Sequence, residues 1–272
     1  MPHDGGNARL RTTTGARAML VATFCALGAA VLHAAWNLAL KQGGDRYIAA
    51  SLQFLFGGLI FLPVMLAAGP PGSEALAWLG VSTVIHVGYV TALTRAYHNG
   101  DFSMAYPLAR GSGALLAALG GAVLLGDTVP FGGVLGTLIA GAGLLVLMQL
   151  GGTRAAYAWA LATGVLIASY TLVDTQGSRA SNGLGYAAAQ GMTVGVALTA
   201  AGVANGKSRQ LVVAAARSWR RYAAAGTASV MAYGLVLIAV NHAPVGYVAV
   251  LRETSVILGP IGGWLLLHED LG

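Results

Sequence analysis

The sequence predicts an all-α membrane protein, a polytopic bundle of nine transmembrane helices. Hydrophobic residues make up 56% of the chain and charged residues only 9%, whereas a soluble domain is about a quarter charged. The apolar residues form runs of about 20, the length that a helix needs to cross a hydrocarbon core about 30 Å thick. The 40 glycines fall largely within these runs, where small residues let helix backbones approach closely.

The predicted spans follow one another with short polar or glycine-rich connections. We place them at residues 18–40, 48–68, 75–97, 102–126, 130–150, 155–177, 183–204, 222–242 and 245–268. Residues 1–17 are predicted to form an N-terminal tail, and residues 205–221 the one long connection. The short connections predict that helices adjacent in sequence pack as antiparallel neighbours.

Arginines before the first span also resemble the start of a secretory signal, namely Arg9, Arg11 and Arg17. The apolar run that follows is longer than the apolar region of a signal, and it continues into the polar end at Trp36 and Asn37. We therefore expect a transmembrane helix here.

Two pairs of segments resemble each other across the chain. Residues 28–44 align with residues 164–180, and residues 99–127 align with residues 241–269. The second alignment places Arg110 on Arg252. Because five spans form each predicted unit, an odd number, the two units would insert in opposite orientations.

This alignment divides the chain into two five-helix units, residues 18–150 and residues 155–272. It predicts a tenth span beginning near Leu271, so four helices of the second unit are present. Inverted repeats of this kind enclose a solute site near the middle of the membrane, and the architecture therefore predicts transport.

Three segments carry a resemblance to a known family. They are "LHAAWNLALK" at 32–41, "AYPLARGSGALLAALGGAVLLGD" at 105–127 and "VAVLRETSVILGPIGGWLLLHE" at 248–269. Together they resemble the drug/metabolite transporter (DMT) superfamily, in particular its EamA-type ten-helix members with two five-helix repeats. The chain is also similar to permeases associated with phosphonate utilisation. The resemblance implies a secondary carrier in the plasma or inner membrane, with spans one, three, four, six, eight and nine around its cavity.

Ionisable groups within the spans are the first candidates for function, because a charge in the hydrocarbon costs about 2.5–17 kcal/mol depending on the method. Arg110 and Arg252 each lie about 11–12 Å along their helices, at about 1.5 Å per residue. They could bind a carboxylate, phosphate or phosphonate bidentately, or they could snorkel to the interface or form structural pairs. Tyr106, one turn before Arg110, shares its helix face.

Glu253 is the deepest acidic residue in the predicted spans and the candidate for proton coupling. A carboxyl group removed from water binds a proton more readily, which lets it load and release one. A static pair between Glu253 and an arginine is the alternative.

Polar and aromatic residues at helical spacing complete the candidate site. His33, Trp36 and Asn37 form one stripe, and Tyr170 and Asp174 have the same i, i+4 spacing in the segment aligned with it. The alternatives are interfacial anchors and satisfied packing groups. The predicted substrate-binding set is Arg252, Arg110, Tyr106, His33, Trp36, Asn37, His86, Tyr89, Tyr170, Asp174 and Tyr233.

The sequence thus predicts a secondary transporter that moves a small metabolite or drug by alternating access, with proton coupling as an option. Two other classes stay open: an intramembrane enzyme acting on a lipid-linked substrate, and a non-transporting assembly partner. No catalytic, cofactor or metal site is expected, since G-x-x-x-x-G-K-[ST] and H-E-x-x-H are absent from the sequence. The single cysteine, Cys25, excludes an intrachain disulfide.

The expected partners are a small-molecule substrate, the lipid bilayer and a second copy of the chain. The small-residue face at Gly132, Gly136 and Ala140 could pack helices or form a homodimer. Nucleic acid is not expected, because the basic residues lie at segment ends rather than along one aromatic-rich face.

Orientation in the membrane stays open, because two indications conflict. Four basic residues lie on the N-terminal side of the membrane, Arg9, Arg11, Arg17 and Arg179. Eight lie on the other, Lys41, Arg46, Arg154, Lys207, Arg209, Arg217, Arg220 and Arg221. This distribution favours an N-terminus outside the cell, whereas the family resemblance implies one inside.

Overall fold

A computed structural model of the chain describes residues 5–41, 44–128, 153–181 and 183–255, with isolated positions 135, 136, 139, 142, 143 and 258. The ordered elements of these ranges are α-helices, as predicted. They are α1 Gly5–Lys41, α2 Arg46–Ala68, α3 Ser73–Asn99, α4 Phe102–Leu124, α5 Arg154–Arg179, α6 Gly183–Ala204, α7 Ser208–Ala239 and α8 Val245–Arg252. Seven helices in the described ranges are long and apolar enough to cross a membrane, so the chain is a multi-pass membrane protein.

Parts of two predicted spans lie outside the described residues. They are most of the fifth span at 130–150, with its small-residue face, and most of the ninth span beyond residue 255. The described part of the ninth span begins with α8, a helix of 8 residues.

Two predicted boundaries differ from the structure at the polar ends of helices. Helix α1 begins at Gly5, within the predicted tail, and includes Gly15–Trp36, a segment apolar enough to cross a membrane. The predicted long connection at 205–221 is wrong, because α7 begins at Ser208 and continues through a break in helical geometry at Ser218. Basic residues interrupt the apolar run there. The start of α7 nevertheless has a buried apolar face, where Leu211 packs against Ile48 and Leu52.

On one side of the bundle, hydrogen bonds between residues at the helix ends join neighbouring helices. Asp45 caps α2 by accepting from the backbone N–H groups of Tyr47 and Ile48, and its carboxylate also accepts from Lys207 Nζ at 2.5 Å. Burial acts to raise the pKa of Asp45, but these donors hold it below its ordinary value. The hydroxyl of Thr153, which caps α5, donates to the carbonyl oxygen of Asn99 at 3.1 Å. We call this side the basic end, since most basic residues outside the bundle interior lie there.

The opposite end has its own set of joining contacts. Arg179 donates to Asp127 at 3.2 Å and to the carbonyl oxygen of Val240 at 3.1 Å. Asp127 accepts from the backbone N–H of Val245 at 2.7 Å. The contacts at the two ends fix the helix directions: α2, α4, α5 and α7 run from the basic end to the opposite end, and the other four run back.

Helices α1 to α4, the first helix set, pack mainly against α5 to α8, the second helix set. Helix α1 contacts α7 and α8, α2 contacts α6 and α7, α3 contacts α5 and α6, and α4 contacts α5 and α8. Helices α2 and α3, which are adjacent in sequence, touch only slightly, as do α3 and α4. The prediction that sequence neighbours pack together is therefore wrong for these pairs, although α6 and α7 do contact each other, because a short connection fixes which helix ends meet but not which faces pack.

Glycines determine which faces pack, as α2 shows. A Cβ atom at Gly57 would lie 2.7 Å from the carbonyl oxygen of Gly226 in α7, and one at Gly58 would lie 2.9 Å from the carbonyl carbon of Gly191 in α6. The backbones thus meet directly, and dispersion contacts at this distance hold helices together where lipid removes the hydrophobic force between them.

The contact pattern between the sets is unchanged when the sets are exchanged. In this exchange α1 corresponds to α5, α2 to α6, α3 to α7 and α4 to α8. The contact of α1 with α7 then becomes the contact of α5 with α3, which the structure also contains. The exchange likewise turns the contact of α4 with α5 into that of α8 with α1, and that of α2 with α7 into that of α6 with α3. The helices exchanged in this way run in opposite directions.

Candidate functional site

A buried ion pair joins the two helix sets inside the bundle. Arg110 on α4 is 4% exposed, and its Nη2 donates to Glu253 Oε1 at 2.8 Å while its Nε donates to Oε2 at 3.2 Å. Both carboxylate oxygens of Glu253 are thus occupied by one guanidinium, in the bidentate geometry that makes such pairs strong.

The second arginine has a different environment, although it occupies the aligned position of the sequence. Arg252 ends α8 and is 7% exposed, so neither arginine snorkels to the interface. Its Nε is buried without a hydrogen-bond partner among the described residues. Arg252 and Glu253 line a small cavity, with Gly113 of α4 and Thr171 of α5 on its other walls. One of the two guanidiniums therefore has a carboxylate, and the other has none in the described part of the chain.

Donor groups of α1 and of the segment after α8 lie in the same region. The His33 ring meets the Trp36 ring edge to face at 4.8 Å, and His33 is within electrostatic range of both Arg110 and Arg252. The indole Nε1 of Trp36 and the hydroxyl of Ser255 are buried without partners among the described residues. Asn37 lies on α1, but its side chain is outside the described residues.

Tyrosines from three helices surround the Arg110 side chain. Tyr89, Tyr106 and Tyr170 are all within electrostatic range of its guanidinium. The rings of Tyr89 and Tyr170 meet edge to face at 5.4 Å. We call this region, from His33 and Trp36 to the two arginines and these tyrosines, the arginine site.

A second polar cluster surrounds Asp174, and we call it the aspartate cluster. Asp174 on α5 is 0% exposed. Its Oδ1 accepts from the hydroxyl of Tyr186 on α6 at 2.9 Å, and its Oδ2 accepts from the hydroxyl of Tyr233 on α7. No cationic side chain forms an ion pair with Asp174 within the described ranges.

His86 on α3 belongs to the aspartate cluster. Its Nδ1 lies 2.9 Å from the carbonyl oxygen of Ser82, and its Nε2 lies 2.9 Å from the amide nitrogen of Gln190 on α6. These partners fit a neutral ring that donates from Nδ1 and accepts at Nε2. The ring stacks on Tyr170 at 4.1 Å, and the Ser82 hydroxyl lies beside both His86 and Asp174.

The predicted residues fall into these two groups. Arg110, Arg252, Tyr106, His33, Trp36, Tyr89 and Glu253 belong to the arginine site, and His86, Asp174 and Tyr233 to the aspartate cluster, with Tyr170 in contact with both. The prediction omitted Ser82, Tyr186 and Gln190. A signal for them exists, because Ser82 with His86 and Tyr186 with Gln190 both have the i, i+4 spacing of Tyr170 with Asp174. The described residues contain no group of three side chains suited to hold a metal ion.

The fold and these two clusters define a class of protein: a multi-pass membrane protein in which apolar helices enclose charged and polar side chains. This is the arrangement expected where a polar solute crosses a bilayer. Residues 154–272 match the model of the EamA-like transporter family. This match over the second half of the chain confirms the resemblance to the DMT superfamily. The family is one of membrane transporters of small molecules.

Solved structures support the fold, and curated sequences add nothing further. A chain described only as "Crystal structure of protein" is similar with a TM-score of 0.71 at 18% identity, over 92% of this chain and 89% of that chain. At this identity the likeness concerns the fold alone. No curated protein matches the chain.

Proposed function

We propose that this protein is a secondary transporter that carries a small solute with an anionic group, a carboxylate, phosphate or phosphonate. The observation that carries the proposal is the Arg252 guanidinium, which lines the cavity without a carboxylate among the described residues. A buried unpaired charge is unfavourable by several kcal/mol, and an anion that enters the cavity offsets this cost.

The groups near the cavity also favour an acceptor-rich solute. The buried atoms without partners in this region are Arg252 Nε, Trp36 Nε1 and Ser255 Oγ, and each of them can donate a hydrogen bond. Two of the three can only donate, so a cationic group would leave them unsatisfied. Glu253 already forms two bonds to Arg110 and therefore does not compete with the solute for Arg252.

Alternating access by rocking of the two helix sets is the mechanism that we propose. The contacts between the sets map onto each other when the sets are exchanged, and the exchanged helices run in opposite directions. This pattern supports the inverted repeat inferred from the sequence. Two oppositely oriented units can exchange conformations, which opens the enclosed site to one side of the membrane and then to the other.

The test is ligand binding to the purified protein. Organic carboxylates, phosphates and phosphonates should raise the unfolding temperature, since a ligand stabilises in proportion to RT ln(1 + [L]/Kd), whereas cationic drugs should not. Arg252→Gln should weaken anion binding about tenfold to 150-fold, because a hydrogen bond to a charged group contributes about 1.5–3 kcal/mol.

Arg179→Gln, at the opposite end of the bundle, is the matched control and should bind like the parent protein. Counterflow of a bound anion into proteoliposomes would then establish transport. Stabilisation by cations alone, or equal anion binding by Arg252→Gln, would contradict the proposal.

A further inference from the structure

We propose that Asp174 is the group that binds and releases a coupling proton, the role that the sequence analysis gave to Glu253. This inference rests on the transport function proposed above. It follows from the different partners of the two carboxyl groups and from the position of Asp174 between the two helix sets.

The partners of Glu253 hold it in its ionised form. Arg110 donates to both of its oxygens, and Arg252 is its neighbour in sequence. Protonation of Glu253 would leave two buried guanidiniums without a negative charge among the described residues. The cost of such a state opposes a cycle of proton loading and release.

The partners of Asp174 do not favour one protonation state in this way. The carboxyl group is fully buried, and the groups that donate to it are the hydroxyls of Ser82, Tyr186 and Tyr233, which carry no charge. Burial opposes the ionised carboxyl, and the three hydroxyl donors favour it. When the carboxyl binds a proton, one tyrosine hydroxyl can turn and accept its O–H, so both states keep their hydrogen bonds.

His86 is a positioning residue in this cluster and not a second proton carrier. Its two nitrogens already have partners that fit the neutral ring, the Ser82 carbonyl oxygen and the Gln190 amide nitrogen. A second proton would require the Gln190 amide to reverse. The ring instead stacks on Tyr170 and fixes the side of α3 that faces Asp174.

The charged groups of the arginine site reach the aspartate cluster through Tyr170 and Tyr233. Helix α4 contributes Arg110, which is bound to Glu253, and α8 contributes Arg252, which is within electrostatic range of Tyr233. Tyr233 donates to Asp174, so the positive charge of Arg252 acts on this hydroxyl and, through it, favours the ionised carboxyl group. An anionic solute bound to Arg252 would offset this effect, so that solute and proton bind with positive cooperativity.

The location of the aspartate cluster suits this role. His86 and Ser82 belong to the first helix set, whereas Asp174, Tyr186, Gln190 and Tyr233 belong to the second. Rocking of one set against the other would separate these groups and expose the carboxyl group to water on one side. Proton uptake and release would thereby follow the conformational cycle.

Infrared spectroscopy during a pH titration tests the proton site without any solute. Beside the bands of the exposed acids, the protein should show a separate carbonyl stretch of a buried protonated carboxyl group, which appears as the pH falls. The band should be absent from Asp174→Asn and present in Glu253→Gln. Loss of the band in Glu253→Gln with its retention in Asp174→Asn would overturn the proposal, and so would the lack of a titrating band in the parent protein.

A second variant keeps the test meaningful if Asp174→Asn does not fold. Tyr233→Phe retains the acid but removes one donor to its ionised form. The pH at the midpoint of the band should rise by about one to two units, since a hydrogen bond to a charged group contributes about 1.5–3 kcal/mol and one unit corresponds to about 1.36 kcal/mol. An unchanged midpoint would contradict the proposed role of the cluster.

Binding measurements test the link to the solute. Anion affinity of the parent protein should increase as the pH falls through the infrared midpoint, and in Asp174→Asn it should no longer depend on pH in this range. Glu74→Gln, which alters an exposed acid at the start of α3, is the matched control and should keep the pH dependence. If no anion binds, the proposed function fails while the infrared result still decides the proton site. If anions bind with the same pH dependence in Asp174→Asn, the coupling inference alone fails.

Discussion

The guanidinium of Arg110 and the carboxylate of Glu253 share two hydrogen bonds in a region that excludes most water. Such a pair adds little stability over apolar side chains of the same volume, because desolvation offsets much of its attraction. Removal of one partner is costly, since the other charge then stays buried alone. Arg110 and Glu253 therefore keep each other ionised, and the net charge of the arginine site stays constant.

Arg110→Met should lower the free energy of unfolding by about 3 kcal/mol, and the double variant Arg110→Met/Glu253→Met should regain most of this loss. Chemical unfolding in detergent micelles measures both values. Arg179→Gln breaks the more exposed ion pair with Asp127 and should cost no more than about 1 kcal/mol. Losses that simply add in the double variant would show that the two side chains do not act as a pair.

The sequence identified the two buried arginines because guanidinium groups are rare in apolar runs. It could not tell which arginine binds Glu253, since Arg252 is adjacent in sequence whereas Arg110 is the partner in space. Ser82, Tyr186 and Gln190 were missed because such residues are common in helices, and only tertiary packing brings them to His86 and Asp174.

At the scale of the helices, apolar run length predicted most spans but not their packing partners. Run length reports where lipid surrounds the chain, and it therefore placed α2, α3, α5 and α6 within a few residues of their ends. Packing depends on which helix faces carry small residues. Several helices of this chain have glycine-rich faces, so the sequence does not show which of them pack together. The basic segment at the start of α7 lacks an apolar run, so its helix was not predicted.

Gly226 tests the importance of the crossing between α2 and α7. A Cβ atom there would lie 2.6 Å from the backbone nitrogen of Gly57, an atom that cannot rotate away. Gly226→Ala should therefore destabilise the protein by about 1–3 kcal/mol, as overpacking commonly does.

Gly80 on α3 is the control for this crossing, because a Cβ atom there would meet nothing within 4 Å. Gly80→Ala should be neutral or stabilising by up to about 1 kcal/mol, from helix propensity alone. Thermal unfolding in detergent distinguishes the two variants. Equal effects would mean that the crossing does not determine which helices pack.

The whole molecule has a strong charge asymmetry between its two ends. Nine of the 15 basic residues lie at the basic end: Lys41, Arg46, Arg95, Arg154, Lys207, Arg209, Arg217, Arg220 and Arg221. Aromatic rings accompany them, with Arg46 over Tyr97 at 4.4 Å, Arg95 over Trp159 at 5.0 Å and Arg220 over Trp219 at 5.4 Å. Such a layer of tryptophan and tyrosine marks the membrane–water interface.

We predict that the basic end faces the cytoplasm, because lysine and arginine in short loops are retained on that side during insertion. The start of α1 would then lie outside, opposite to the orientation that the family resemblance implies. Labelling of single cysteines in a Cys25→Ala background tests this. A membrane-impermeant maleimide applied to intact cells should label His242→Cys, at the opposite end, and not Asn205→Cys, and permeabilised cells should show both. Both positions are exposed, so access to the side chain does not limit the reaction. The reverse pattern would place the basic end outside, and the charge bias of this chain would then not determine its orientation.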